Sequence, residues 1–166
     1  MALQTVTAAT LPELFDGAKQ PLLIQHDPGT GLIAAIEATA ATDTEVIMVN
    51  ARFCDLTEVL LMPSGEMLPP WPTWRRLLRT SLANGRSVWF VMMELPSAAP
   101  VTRKALLAAV LEEVALADND TPLLTIITDT ERDPAFAAGW VHDGGRVLEW
   151  VLSTADWMRW SRDGRP

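Results

Sequence analysis

PLLIQHDPGTGLIAAIEATAA, residues 21–41, is the stretch that decides the fold. Its apolar start, Pro21 to Gln25, predicts a short strand, and residues 26–31 form a turn rich in glycine and proline. The alanine-rich run from Leu32 to Ala41 predicts a helix. A strand, a glycine turn and a helix in this order form the unit of a phosphate-binding loop.

Alternating strands and helices are predicted on both sides of this unit. Leu11 to Ala18 reads as a short helix ahead of it. The further elements are strands at Thr44 to Val49, Ser87 to Met93, Leu123 to Thr128 and Arg146 to Leu152, and helices at Trp71 to Ala83 and after Pro100. Residues 50–70 and the loop with Pro134 and Gly139 read as irregular. This alternation predicts a doubly wound α/β fold with a mainly parallel, five-stranded sheet.

Apolar spacing predicts which side of two helices faces the core. In the helix after Pro100 the predicted core stripe is Leu107, Val110, Leu111 and Val114. In the helix from Trp71 it is Trp74, Leu77, Leu78 and Leu82, with Arg75, Arg76 and Arg79 largely opposite. An arginine cluster beside tryptophans can stack on nucleic acid. In this acidic chain we interpret it as a solvated helix face.

Length and charge limit the class of protein. The chain has 166 residues, 49% of them hydrophobic, which is enough for one sizeable core. We therefore predict one domain over residues 1–166, divided into an N-terminal extension (1–19), a core (20–153) and a short C-terminal helix or tail (154–166). The formal net charge of -8 argues against nucleic acid or acidic lipid as a partner. No apolar run has the length of a membrane span.

Few side chains are candidates for chemistry outside the glycine turn. Cys54 is the single cysteine, and with no secretory signal in the sequence it favours a reducing, cytoplasmic setting. We interpret Cys54 as a small buried hydrophobic residue. His26 and His142 are isolated in the sequence and are interpreted as ordinary polar residues. No metal site is predicted.

The glycine turn lacks two side chains on which a working phosphate loop depends. The working pattern is GxxxxGK[ST], in which lysine neutralises phosphate and the hydroxyl holds magnesium. Here Leu32 stands in place of the lysine and Ile33 in place of the hydroxyl residue. Asp27 in the same turn repels phosphate. Loss of the lysine and of the metal removes most of the transition-state charge stabilisation.

Several segments resemble the MoxR-like ATPases of the AAA+ family. PGTG at residues 28–31 is similar to part of the family loop GPPGTGKT, and VWFVMMEL at 88–95 is similar to its Walker B strand, hhhhDE. SAAP at 97–100 and ALL at 105–107 look like the STAPP and ALL that follow that strand. Further similar segments are residues 56–66, 68–71, 74–77, 137–140, 148–150 and Trp157. The resemblance covers residues 20 to 160.

The resemblance implies a three-layer P-loop sandwich of the AAA+ type with degenerate catalytic parts. Met93 stands where the family has its metal-positioning aspartate, and Glu94 is the relic of its catalytic glutamate. We expect no C-terminal helical lid, because few residues follow Trp160. The vestigial nucleotide-binding loop is expected to consist of Gly29, Thr30, Gly31, Leu32 and Ile33.

Together these features predict a catalytically inactive pseudo-ATPase domain that acts as a protein-interaction or assembly module. Its expected ligand is a partner protein or a second copy of itself, and no cofactor is expected beyond weak anion or nucleotide binding at Gly29 to Gly31. Two alternatives stay open: a nucleotide-binding regulator that does not hydrolyse ATP, and a residual ATPase that uses Glu94. The excess of arginine over lysine fits a bacteriophage or actinobacterial origin.

Overall fold

The computed structural model describes residues 3–16, 20–54, 73–116 and 123–153, together with residues 155, 156, 158 and 162. These residues form six strands: β1 (Gln4–Val6), β2 (Leu22–Gln25), β3 (Thr44–Asn50), β4 (Ser87–Met93), β5 (Leu123–Asp129) and β6 (Arg146–Trp150). They also form five α-helices: α1 (Leu11–Asp16), α2 (Leu32–Thr39), α3 (Thr73–Ala83), α4 (Pro100–Leu116) and α5 (Pro134–His142). A short 3-10 helix, Leu95–Ser97, lies between β4 and α4.

The strands form one sheet in the order β1-β6-β2-β5-β4-β3, and every pair among them is parallel. The prediction of five strands is therefore wrong by one, and the additional strand is β1. It comes from the first 19 residues, which were expected to precede the core, and pairs Val6 with Trp150. Only Val6 of its three residues is buried, so β1 has no apolar pattern to detect.

The helices cover both faces of the sheet. The connections from β1 to β2 and from β2 to β3 run across the sheet in one direction, whereas the later three run in the other. Because crossovers between parallel strands are right-handed, α1 and α2 lie on one face and α3, α4 and α5 on the other. Two apolar clusters fill the spaces between these layers, and we call them the α1/α2 cluster and the α3/α5 cluster. The predicted α/β class is confirmed.

Helix α5 corrects one prediction. Pro134 and Gly139 indicated an irregular loop, but they lie inside a helix of nine residues. The Asp133 carboxylate accepts hydrogen bonds from the amides of Ala135 and Phe136 at 2.9 and 3.0 Å. Proline in the first turn needs no amide partner, so this cap starts the helix in spite of it.

The predicted core sides of α3 and α4 are partly wrong. Leu77 and Leu111, both expected inside, are 50% and 69% exposed. In α4 the buried residues include Leu106 and Val110, and also Glu113, which no apolar pattern indicates. The side chain of Val114 is outside the described residues.

Some predicted segments lie outside the described residues. These are residues 56–66 and 68–71, Trp157, most of the irregular segment at 50–70 and most of the C-terminal helix or tail at 154–166. Within the described part of the chain, no helix combines the length and apolar character needed to cross a membrane.

Candidate functional site

The carboxyl ends of β2 and β5 form the candidate site. The two strands are neighbours, yet the chain after β2 enters α2 on one face and the chain after β5 enters α5 on the other. In open parallel sheets this divergence opens a crevice, and ligands bind there. The glycine turn, residues 26–31, follows β2 and lies at this edge. The predicted order of strand, glycine turn and helix agrees with the structure.

Two glycines give the turn its shape. Gly29 and Gly31 have φ values of 71° and 76°, in the left-handed region that side chains with a Cβ disfavour. The hydroxyl of Thr30 donates a hydrogen bond of 2.6 Å to the carbonyl oxygen of Asp27, which closes the turn internally. Gly31 is the N-cap of α2 and provides no side-chain acceptor. Among the described residues the amides of Leu32 and Ile33 also meet no acceptor.

The two residues that replace lysine and the hydroxyl belong to the core. Leu32 is 1% exposed and lies within the α1/α2 cluster, and Ile33 packs against the same cluster. A side chain that neutralises phosphate must instead reach out of the core toward the turn. The amino end of α2 therefore presents backbone groups only, without a cation of its own.

Met93 and Glu94, the two positions expected from the resemblance to a Walker B strand, lie at the end of β4. Met93 pairs with Thr128 of β5 and packs against the α1/α2 cluster. Glu94 follows it in the left-handed region, with φ 58°, and its Oε2 accepts a hydrogen bond of 2.9 Å from the Thr130 hydroxyl. Arg52 lies 3.8 Å from the same oxygen. Glu94 is thus held by its neighbours, and the methionine beside it cannot bind a metal ion as an aspartate does.

An ion triplet that the sequence did not reveal crosses the same edge. Arg132 Nη1 donates to Asp27 Oδ1 at 2.7 Å, and Nη2 donates to Glu149 Oε1 at 2.5 Å. We call Asp27, Arg132 and Glu149 the clamp. The hydrogen bonds of the clamp raise the pKa of the Arg132 guanidinium above its ordinary value. The bond to Glu149 contributes most, and the bond to Asp27 is second. The clamp joins the glycine turn to the loop after β5 and to β6.

A buried aspartate shapes the loop that carries Arg132. Asp129 is fully buried, and its carboxylate accepts from the amides of Glu131 and Asp133 at 2.9 and 3.1 Å. Arg132 lies between these two amides with φ 52°, a conformation that costs energy for a residue with a Cβ. The surrounding hydrogen bonds hold Arg132 in place despite this cost.

His26 and Thr128 contribute buried polar atoms without partners. The His26 Nδ1 lies 3.1 Å from the carbonyl oxygen of Asp27, and Nδ1 is the donor because a carbonyl oxygen only accepts. The other ring nitrogen is Nε2. That Nε2 and the Thr128 hydroxyl oxygen are buried without a hydrogen bond. Because side chains alternate between the two faces of a sheet along each strand, His26 and Thr128 lie on the α1/α2 face.

The remaining candidates lie away from this edge. His142 ends α5 at the amino edge of the sheet, opposite to His26, and Cys54 packs against the α3/α5 cluster. No three His, Cys, Asp or Glu side chains among the described residues are grouped as metal ligands. Arg75 and Arg79 contact Glu113 of α4 at 3.0 and 2.7 Å, so the arginine face of α3 packs onto acids of α4.

Comparison with known proteins leaves the resemblance as a prediction. No model of a known protein family matches the chain, and no curated protein matches it.

Proposed function

We propose that this chain is a catalytically inactive P-loop domain of the AAA+ type that acts as a protein-interaction or assembly module. One observation is central to this proposal: at the crevice between β2 and β5, the side chain in place of the phosphate-binding lysine is Leu32, buried in the core. The strand, the glycine turn and the helix follow one another in the order of a phosphate-loop unit. The chemistry of that loop is missing.

The side chains that hydrolysis of ATP requires are missing or engaged in other contacts. A metal ion needs oxygen ligands, and Ile33 and Met93 offer none. The remaining acid, Glu94, is hydrogen-bonded to Thr130 and lies near Arg52. A general base must reach a water molecule beside an anchored phosphate, and Leu32 at the lysine position offers that phosphate no charge. The fold is kept while the reaction is lost, which favours a role as a scaffold.

Exposed apolar side chains support an interaction role. Phe53, in the turn after β3, is 83% exposed, and Val101 and Leu111 of α4 are 72% and 69% exposed. Phenylalanine is enriched at the centre of protein interfaces, where burial of apolar surface stabilises the complex. Phe53 is at the same edge of the sheet as the glycine turn. We propose these residues as contacts for a partner protein or a second copy of the chain.

A nucleotide-binding regulator without hydrolysis is the second candidate. The amides of Leu32 and Ile33 meet no acceptor among the described residues, and the dipole of α2 favours an anion at this end. This observation favours weak anion binding. The carboxylate of Asp27 in the same turn opposes it.

Thermal melting with and without millimolar ATP, ADP and magnesium separates these candidates. The module should melt at one temperature throughout, since a ligand stabilises a protein only by binding its folded state. A clear rise in melting temperature with nucleotide contradicts the module and supports the regulator. Phosphate release that disappears in Glu94→Gln contradicts both and supports the residual ATPase.

Light scattering tests the assembly role. A self-associating module should have a mass above the 18.2 kDa of one chain, and the variants Phe53→Ser and Leu111→Ser should lower it. Thr80→Ser, also on an exposed part of a helix, is the matched control. A monomer that keeps its mass in every variant directs the search to a different protein as partner.

A further inference from the structure

We propose that the clamp is an autoinhibitory contact, in which the carboxylate of Asp27 occupies the arginine that an anionic ligand of the glycine turn would need. Arg132 is a cation that contacts this turn, and Asp27 is a residue of the turn itself. The turn thus supplies its own anion. The inference rests on the proposed function in one respect: both require that the unmodified chain binds no nucleotide at this edge of the sheet.

The geometry makes the contact specific. Arg132 uses two different nitrogens for its two acids, Nη1 for Asp27 and Nη2 for Glu149. Asp27 precedes Arg132 by 105 residues, so the fold and not local sequence brings them together. Two hydrogen bonds to Asp129 fix the loop on either side of Arg132, which aims its guanidinium across the crevice.

Charge explains why an anion is excluded. A polyphosphate at the turn must displace Asp27 from Arg132 or share the arginine with two carboxylates. Displacement leaves the Asp27 carboxylate beside the incoming phosphate, and like charges at short range repel. Asp27 is well exposed, so solvent reaches the contact and a competing anion can enter without unfolding.

Asp27→Asn is the variant that weakens the contact and removes its negative charge. Asparagine keeps the shape of aspartate and an oxygen that accepts from Arg132, while it removes the charge that repels phosphate. Asp43→Asn is the matched control, because Asp43 is an exposed acid in the turn between α2 and β3 and makes no ion pair within the described ranges. Both variants change the net charge equally.

Isothermal titration with inorganic tripolyphosphate, at fixed ionic strength, measures the effect. We expect Asp27→Asn to bind at least about tenfold more tightly than the unmodified chain and Asp43→Asn. The double variant Asp27→Asn, Arg132→Gln should lose the gain, since Arg132 is the proposed contact. Glu149→Gln, which removes the other carboxylate charge beside Arg132, should also bind more tightly than the unmodified chain and serves if Asp27→Asn does not fold.

Two results would overturn the autoinhibitory contact. The first is equal affinity in Asp27→Asn, Glu149→Gln and the Asp43→Asn control. The second is a gain in Asp27→Asn that survives the loss of Arg132. Either result leaves the proposed function standing if the unmodified chain still melts independently of ATP. A melting temperature of the unmodified chain that rises with ATP contradicts the proposed function itself, so the two failures are distinguishable.

Discussion

The indole Nε1 of Trp150 donates a hydrogen bond of 3.0 Å to the carbonyl oxygen of Thr30, 120 residues earlier in the chain. Trp150 ends β6 and is almost fully buried, so it ties the glycine turn to β6, the strand that pairs with β2. The turn is thus held by its own hydrogen bond at Thr30, by the clamp and by this indole. A turn with two left-handed glycines needs such contacts, because its backbone conformation is not favoured by itself.

Trp150→Phe should therefore destabilise the fold through the loss of this hydrogen bond. Leaving the Thr30 carbonyl oxygen without its donor costs about 1 kcal/mol, in addition to the smaller apolar contact. Trp140→Phe is the matched control, because the Trp140 Nε1 is buried without a partner and its removal breaks no hydrogen bond. Urea unfolding of the two variants measures the difference.

The free energy of unfolding should fall further in Trp150→Phe than in Trp140→Phe. Equal losses in the two variants would show that the Trp150 indole contributes by packing alone.

Glu113→Gln tests the ion pairs between α3 and α4. Glu113 is 2% exposed and accepts from Arg79 at 2.7 Å and from Arg75 at 3.0 Å. Removing a buried partner leaves two arginines without their shared acid, so we expect a loss of about 3 kcal/mol. The neighbouring Glu112 also pairs with Arg75, but it is mostly exposed. Glu112→Gln should therefore cost less than about 1 kcal/mol.

Chemical unfolding of these two variants and of the unmodified chain gives both values. A loss in Glu112→Gln as large as that in Glu113→Gln contradicts the assignment of the buried acid as the main contact.

Glu113 also predicts acid sensitivity. Burial by itself raises the pKa of this carboxyl, but hydrogen bonds from Arg79 and Arg75 outweigh burial, and the net pKa lies below its ordinary value of 4.5. A carboxyl whose pKa is lowered by folding stabilises the folded state above its unfolded pKa. That contribution is lost as the pH falls through the folded pKa.

The free energy of unfolding should thus decrease below pH 4.5 in the unmodified chain. Glu113→Gln has no proton to take up at this position, so its decrease over the same range should be smaller. Parallel pH profiles for the two proteins would show that other carboxyls cause the acid sensitivity.

The elements that sequence reasoning found are those whose residues follow one simple rule. β4 has the predicted bounds, Ser87–Met93, because a continuous apolar run suits a strand covered on both faces. The glycine turn and α2 were also found, because Gly29 and Gly31 mark the turn. β1 was missed since a strand of three residues with one buried side chain leaves no period to measure.

The errors within helices have a different cause. Apolar spacing placed Leu111 inside α4, whereas Glu113 is the residue inside, because Arg75 and Arg79 reach it from α3. Rules that assign polar residues to the surface cannot foresee a charge that is buried with its partners. The clamp was missed for another reason: Asp27, Arg132 and Glu149 are apart in the sequence and meet only through the order of the strands.

Two glycine substitutions test whether the left-handed turn determines the stability of the candidate site. Gly29→Ala places a Cβ where no atom lies within 4 Å, yet its φ of 71° is disfavoured for alanine. We expect a loss of about 1–2 kcal/mol from backbone strain alone. Gly139→Ala is the matched control, since a Cβ there also meets no atom within 4 Å, but the position is inside α5. In a helix alanine should stabilise by about 0.5–1 kcal/mol.

The two variants add the same methyl group into open space, so opposite changes in stability, measured by thermal unfolding, isolate the effect of φ. A Gly29→Ala protein as stable as the unmodified chain would mean that the turn relaxes to another conformation, and amide exchange at residues 29–33 should then increase.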